Sequence, residues 1–313
     1  MAMQVEPRDI GVDVSKAELV CAAHGEDRIE TVANDKRSIR RWLKSLPKHT
    51  CLAVEATNSF HMELVEQAWR LGLKVYVVNG YQLNQYRESI GTRAKTDAGD
   101  ARLLARYLNR EKDELRLWNP PPKAYRRIQT LLTRRASLVQ ARTALRQSFE
   151  SLPEARSSSA ALIRHMDRLE QLLCKRLREA AREAGWWPQV RRIQAIEGIG
   201  PINAIALVMA YHRGDFCSSD AFVAFLGLDV KVRDSGTQKG KRKLTKKGPR
   251  EIRRLLHNAA MAARRSPTWQ GFYQRHRAKG LATTQALVVL ARKLARVAFA
   301  LLRNGTEYRP AVA

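Results

Sequence analysis

A chain of 313 residues with 44% hydrophobic content is long enough for two domains with cores of their own, which excludes wholesale disorder. It carries 57 Lys and Arg against 30 Asp and Glu, a net charge of +27. The excess is uneven, at +3 for residues 1–110, +9 for 111–192 and +15 for 193–313, so the back two-thirds point to a polyanionic partner. A basic membrane-surface protein is the rival reading, and the amphipathic anchor helix it needs is not evident. The N-terminus lacks the apolar core of a signal peptide. The most apolar late stretch, 286–302, is broken by Arg292, Lys293 and Arg296, so no membrane partner is expected. Cys21, Cys51, Cys174 and Cys217 form no C-x-x-C pair, which fits a reduced, cytoplasmic chain without a zinc knuckle.

In chain order, residues 8–14, 19–24 and 28–33 read as three short strands joined by polar turns. Residues 35–46 read as a helix with Ile39, Trp42, Leu43 and Leu46 on one face. A fourth strand at 50–56, a helix at 61–71 and a fifth strand at 73–79 follow, then helical segments at about 83–90 and 97–110. Three strands followed by alternating helix and strand predict an α/β sheet covered by helices, in the order of a ribonuclease-H-like core.

Asn119-Pro-Pro-Pro122 marks a boundary. A long helix is expected from about 123 to 149, with Ile128, Leu131, Leu138 and Leu145 as its seam. After the turn-rich 151–159, a second helix shows Leu162, Met166, Leu169, Leu173 and Leu177 at helical spacing. That spacing suits an antiparallel pair or a short coiled coil. From residue 193 the pattern is helical and basic, interrupted by a Gly- and Lys-rich loop at 236–247 and resuming at about 250–265, 268–278 and 282–303. The expected organisation is 1–118, a helical linker at 119–192, and a mainly helical domain at 193–313.

Four carboxylates stand out. Asp13 is near the end of the first strand and Glu55 ends the fourth, while Asp97 and Asp100 are three apart on a predicted helix and share a face. Strand ends and a neighbouring helix can gather such acids. Clustered like charges are costly without a cation, and oxygen-only ligands suit Mg²⁺. The structural alternative is solvated or capping groups, with Asp97 capping its helix.

The segments 10–16 (IGVDVSK), 54–57 (VEAT) and 93–102 (RAKTDAGDAR) resemble the DEDD transposases of the IS110 insertion-sequence family. The N-terminal domain of that family is similar to the RuvC Holliday-junction resolvase. The resemblance implies an α/β RuvC-like N-terminal domain in which Asp13, Glu55, Asp97 and Asp100 bind Mg²⁺. It continues through 225–228 (FLGL), 234–236 (DSG), 244–248 (LTKKG) and 252–256 (IRRLL), which look like the family's C-terminal transposase domain. There it implies Ser235 as a nucleophile that forms a phosphoserine link to DNA. Many relatives have a serine pair preceded by histidine, whereas this chain has Arg233-Asp234-Ser235 and so one candidate serine. The resemblance also implies target and donor DNA, a structured noncoding guide RNA (bridge RNA) and a homotetramer built as a dimer of dimers.

Further nucleic-acid contacts are expected from the residues themselves. Segment 194–204 resembles a helix–hairpin–helix motif, in which Gly198 and Gly200 would let backbone N–H groups approach a phosphate. The run 239–250 holds seven basic residues in twelve: Lys239, Lys241, Arg242, Lys243, Lys246, Lys247 and Arg250. Arg126, Arg127, Arg134, Arg135, Arg142 and Arg146 recur along the long helix with few acids at i,i+4, which favours an unpaired stripe facing phosphate. Trp186 and Trp187 read as core in preference to base-stacking groups.

The resemblance therefore implies an RNA-guided recombinase that cuts and rejoins DNA through a Holliday junction. A metal-only RuvC-like nuclease or junction resolvase is the alternative, and a non-enzymatic nucleic-acid-binding regulator is the third reading.

Overall fold

The computed structural model describes residues 8–56, 59–91, 96–231, 234–235, 238–239 and 242–310, with side chains described outside 232–241. Two compact units divide the chain, Met1–Pro120 and Pro121–Ala313.

The first unit runs β1 (Asp9–Val14), β2 (Glu18–Ala23), β3 (Ile29–Ala33), α1 (Lys36–Ser45), β4 (Cys51–Glu55), α2 (Met62–Arg70), β5 (Lys74–Val78), α3 (Gly80–Ser89) and α4 (Asp97–Glu111). The sheet order is β3-β2-β1-β4-β5. β2 pairs antiparallel with β1 and β3, and β1, β4 and β5 run parallel. The order of elements along the chain is the one expected, and the domain is consistent with a RuvC-like one. β1 and β4 are central and apolar because both their faces are covered. Ile10, Val12, Leu52 and Val54 meet Ile39 and Leu43 of α1 and Leu64, Val65 and Ala68 of α2 on one face. Cys51 and Ala53 meet Leu103, Leu104 and Leu108 of α4 on the other. Alternation along a strand then puts Asp13 and Glu55 on the α4 face.

The second unit comprises α5 (Lys123–Ser148), a 3₁₀ turn at Pro153–Ala155, α6 (Arg156–Glu183), α7 (Trp187–Gln194), α8 (Pro201–Tyr211), α9 (Ser219–Phe225), β6 (Val230–Lys231), β7 (Asp234–Ser235), β8 (Gln238–Lys239), β9 (Lys243–Leu244), α10 (Arg250–Ala263), α11 (Pro267–Ala278) and α12 (Thr283–Asn304). Helix α8 is buried from Asn203 to Ala210 and forms the centre of the core. Tyr125, Ile128 and Leu132 of α5 and Leu177, Ala180 and Ala181 of α6 belong to that same core. The base of the helical pair is thus part of this unit, where the sequence suggested a linker standing apart.

Further out, the seam differs from the expected leucine ladder. Leu177 is fully buried, but Leu162 and Leu169 are 49% and 46% exposed. Charge joins the helices there instead. Arg135 Nη2 donates to Glu170 Oε1 at 2.6 Å, and Arg142 pairs with Asp167 and Glu170. Among the described residues, no helix is long and apolar enough to cross a membrane.

Candidate active site

The segments that carry the acids come together for three local reasons. The first is register. Val12 on β1 pairs with Val54 on the parallel β4, so Asp13 and Glu55 follow one step later on adjacent strands. Adjacent strands are about 4.8 Å apart, which brings both carboxylates to one edge of the same face. The second is Gly11. A Cβ built there would lie 2.1 Å from the Ala101 carbonyl oxygen and 2.3 Å from the Ala105 nitrogen. Only a residue without a side chain lets α4 lie this close to β1, and α4 carries Asp97 and Asp100 in its first turn. The third is Gly80, at the start of α3. A Cβ there would sit 2.2 Å from Glu55 Oε1, so its absence makes room for that carboxylate.

The electrostatics follow from this packing. Burial, and then the charges of Asp100, Asp97 and Glu55, push the Asp13 carboxyl up to about 6. The cap of α4 is Thr96, whose Oγ1 accepts from the Gly99 N–H at 3.1 Å, so the capping role is not taken by Asp97. Asp100 is buried, and Arg87 Nη2 donates to its Oδ1 at 2.5 Å. Among the described residues, no group of three or more His, Cys, Asp or Glu is drawn together as a ready-made metal site.

In the second unit, β6 pairs antiparallel with β9, and β7 with β8. Ser235 is opposite Gln238 in the β7–β8 pair. Its side chain lies outside the described residues, as do those of Lys239 and Lys241. The described segments on either side of the β7–β8 pair are tied to one another. Arg253 Nη1 donates to the Gly248 carbonyl at 2.6 Å and to the Leu226 carbonyl at 3.3 Å. Thr245 Oγ1 donates to Asp229, and the Thr245 N–H donates to the Asp229 carbonyl at 3.0 Å. A Cβ at Gly248 would lie 2.4 Å from the Phe225 carbonyl oxygen, so the segments 225–228 and 244–248 meet there.

Comparison with known proteins covers both units. A DEDD-type IS110 transposase model matches residues 10–153, which include all four acids, and the Transposase IS116/IS110/IS902 family model matches residues 190–274, which include Ser235. The chain belongs to the IS110/IS116 family of transposases. It is similar to the pilin gene-inverting protein of Moraxella bovis, 28% identical over 96% of this chain and 97% of that protein. It is likewise similar to a probable family 20 transposase of Pseudomonas aeruginosa, 28% identical over 96% and 98% of the two chains. An uncharacterized 42 kDa protein of insertion element IS900 from Mycobacterium paratuberculosis is 34% identical over 38% of this chain and 31% of its own length. Membership in this family makes the chain an enzyme that acts on DNA.

Several expected nucleic-acid contacts look different in this transposase. The stripe on α5 is largely paired, because α6 and α10 supply acids that the α5 sequence lacks. Arg127 pairs with Glu183, and Arg135 pairs with Glu170 and lies 4.0 Å from Glu251 of α10. Arg126 is also engaged, whereas Arg134 and Arg146 are exposed. Gly198 has φ of +88°, and a Cβ there would meet the Ala259 carbonyl oxygen at 2.5 Å. Its requirement is therefore set by the close approach of α10, not by a phosphate. Gly200 is exposed with open space around it. Arg242, Lys243, Lys246 and Lys247 are exposed. Trp186 is buried, with its ring stacked on His212 at 4.4 Å, while Trp187 is half-buried beneath Arg182.

Sequence reasoning missed Arg87, Arg253 and Glu197. Glu197 accepts from Tyr308 Oη at 2.7 Å, Thr268 Oγ1 at 2.8 Å and Trp269 Nε1 at 3.1 Å. These partners are 71 to 111 residues away, so no local spacing signals them.

Proposed function

We propose that this transposase is a recombinase that cuts and rejoins DNA through Ser235, with Asp13, Glu55, Asp97 and Asp100 as its metal-binding acids. The observation that carries the reading is that strand register and the Gly11 contact bring the ends of β1 and β4 and the first turn of α4 together, near enough for the other acids to raise the Asp13 carboxyl. The donor set fits a hard divalent cation: it is oxygen-only, and burial and then the neighbouring acids raise the Asp13 carboxyl to about 6, a penalty that a bound cation would offset. Bound Mg²⁺ would neutralise the acids and polarise the scissile phosphate.

The chain's own groups do the rest. The Ser235 hydroxyl gives up its proton as Oγ bonds to phosphorus, and the bond from phosphorus to one deoxyribose oxygen breaks, leaving a hydroxyl end. Attack of a hydroxyl end from the exchanged strand on the same phosphorus releases the serine. The phosphodiester energy is kept in the covalent link, so no nucleotide cofactor is needed. The segments on either side of residues 232–241 are tied by Arg253 and Asp229, and the exposed Lys243 and Lys246 of the following segment offer positive charge to phosphates. Support for rejoining, beyond cutting alone, comes from the full-length likeness to a gene-inverting protein, since inversion requires both ends of a segment to be resealed.

A structured noncoding RNA that selects target and donor DNA by base pairing completes the proposal, as does assembly into a dimer of dimers. Their support is the resemblance of the motifs alone.

The test is a denaturing gel of purified protein incubated with its element-flanking RNA, matching duplexes and Mg²⁺. A slow-migrating protein–DNA adduct that disappears in Ser235→Ala, and when RNA is omitted, is the expected result. Cut strands with no adduct would instead favour a metal-only nuclease using water.

A further inference from the structure

A groove in the helical unit has no part in the chemistry proposed above. It runs between α11, α12 and residues 306–309 beyond α12, with a volume of about 1040 Å³. Phe272, Val297 and Leu301 give it an apolar floor, and the exposed Arg275, Lys293 and Arg309 line it with positive charge. None of these three cations has an ion-pair partner among the described residues. Glu307 also lines the groove, but Arg192 Nε is 3.3 Å from its carboxylate. The net lining charge is therefore positive.

The walls are tied in place. Through Glu197, the turn between α7 and α8 binds the start of α11 at Thr268 and Trp269, and the segment after α12 at Tyr308. Trp269 and Phe272 pack edge-on with centroids 6.4 Å apart, so the aromatic floor is part of the same fixed assembly.

We propose that this groove binds an unpaired segment of DNA, with bases on the apolar and aromatic floor and phosphates on Arg275, Lys293 and Arg309. It rests on the reading that the enzyme exchanges strands, which exposes unpaired DNA. The chemistry selects this occupant. A duplex keeps its base faces stacked inside and has no use for a recessed apolar floor, whereas a single strand offers base faces and charge together. A membrane surface needs a protruding apolar face, and here the apolar surface is recessed.

The test uses the full-length protein and fluorescence anisotropy, with a single-stranded DNA oligomer, the same sequence as duplex, a single-stranded RNA of that sequence, and polyglutamate. Two variants are compared: the triple change Arg275→Ala, Lys293→Ala and Arg309→Ala, and Phe272→Leu, which keeps apolar bulk but removes the ring. The triple variant is expected to bind single-stranded DNA at least about tenfold more weakly and to lower the slope of log affinity against log salt by about 2, as three lost phosphate contacts require. Phe272→Leu is expected to weaken single-strand binding by about fivefold with little change in salt slope. Duplex binding should hold within about twofold in both, since duplex contacts lie elsewhere. Bromodeoxyuridine cross-links should map to the peptide spanning 267–278.

Unchanged single-strand affinity in the triple variant overturns the proposal, as does an equal loss for single strand and duplex. Selective loss of RNA or of polyglutamate binding overturns it in favour of those ligands. The Ser235→Ala adduct assay is independent of all these readings, so a failed serine mechanism and a failed groove are told apart.

Discussion

Arg87 on α3 donates from Nη2 to Oδ1 of Asp100 on α4 across 2.5 Å, with only 13% and 7% of the two side chains exposed. A guanidinium thereby supplies positive charge to one of the four candidate acids. In the proposed metal site it stands where a divalent cation would also draw Asp100. Removing one partner of a buried pair leaves an uncompensated charge, at a cost of roughly 3 kcal/mol. Arg87→Gln is therefore expected to lower the melting temperature without divalent ions, and to show tighter Mn²⁺ binding by calorimetry with a larger Mn²⁺-induced rise in melting temperature. Weaker Mn²⁺ binding would mean that Arg87 orients Asp100 instead of competing for it.

Asp13→Asn separates stability from function. The folded protein holds the Asp13 proton up to about pH 6, against an ordinary value of 3.8. This group's contribution to stability is therefore present below pH 3.8 and lost as the pH rises through about 6. Asparagine mimics the protonated form. The variant is expected to be more stable than the parent at pH 7.5 without metal, by roughly 1–2 kcal/mol after allowing for partial exposure. DNA cleavage should be abolished. Urea melts at pH 4 and pH 7.5 check it, and an equal stability difference at both would remove the electrostatic account.

Gly11→Ala puts a methyl group against backbone atoms of α4 that no rotamer change can clear. It should cost about 3 kcal/mol and push Asp97 and Asp100 away from Asp13, removing any stabilisation by Mn²⁺. Gly271→Ala is the control. Gly271 lies within α11 with open space where the Cβ would go, so the same change should stabilise by about 0.5–1 kcal/mol. Thermal melts of the two variants should move in opposite directions.

Glu197 predicts acid sensitivity in the helical unit. Burial pushes its carboxyl up, but hydrogen bonds from Tyr308, Thr268, its own backbone and Trp269 outweigh this and hold it below its ordinary value. Its contribution is thus present above about pH 4.5 and lost as the pH falls through the lower folded value. Glu197→Gln is expected to cost about 2 kcal/mol at pH 7 and to flatten stability against pH below 4.5. A parallel pH profile in parent and variant would show that the three hydrogen bonds do not depend on the charge.

The sequence by itself determined the strands of the first unit and their succession along the chain, because buried central strands need unbroken apolar runs that are visible in one dimension, whereas their order in the sheet came from the tertiary structure. The sequence also marked the candidate acids, through the family motifs and because Asp13 is near the end of β1, Glu55 ends β4, and Asp97 and Asp100 share a helix face. The ladder Leu162, Leu169 was misread because helical spacing identifies a stripe without saying whether a partner covers it. The arginine stripe was misread for a related reason: Glu170, Glu183 and Glu251 lie on other helices, and local spacing cannot see them. Only the tertiary structure decided that Gly11 admits α4 and that Gly198 admits α10. It alone also decided that Arg87 reaches Asp100 and that Glu197 collects three distant donors. Each of these is a contact between segments far apart in the chain or on separate helices, fixed by packing at ångström scale, where a periodic pattern carries no distance information.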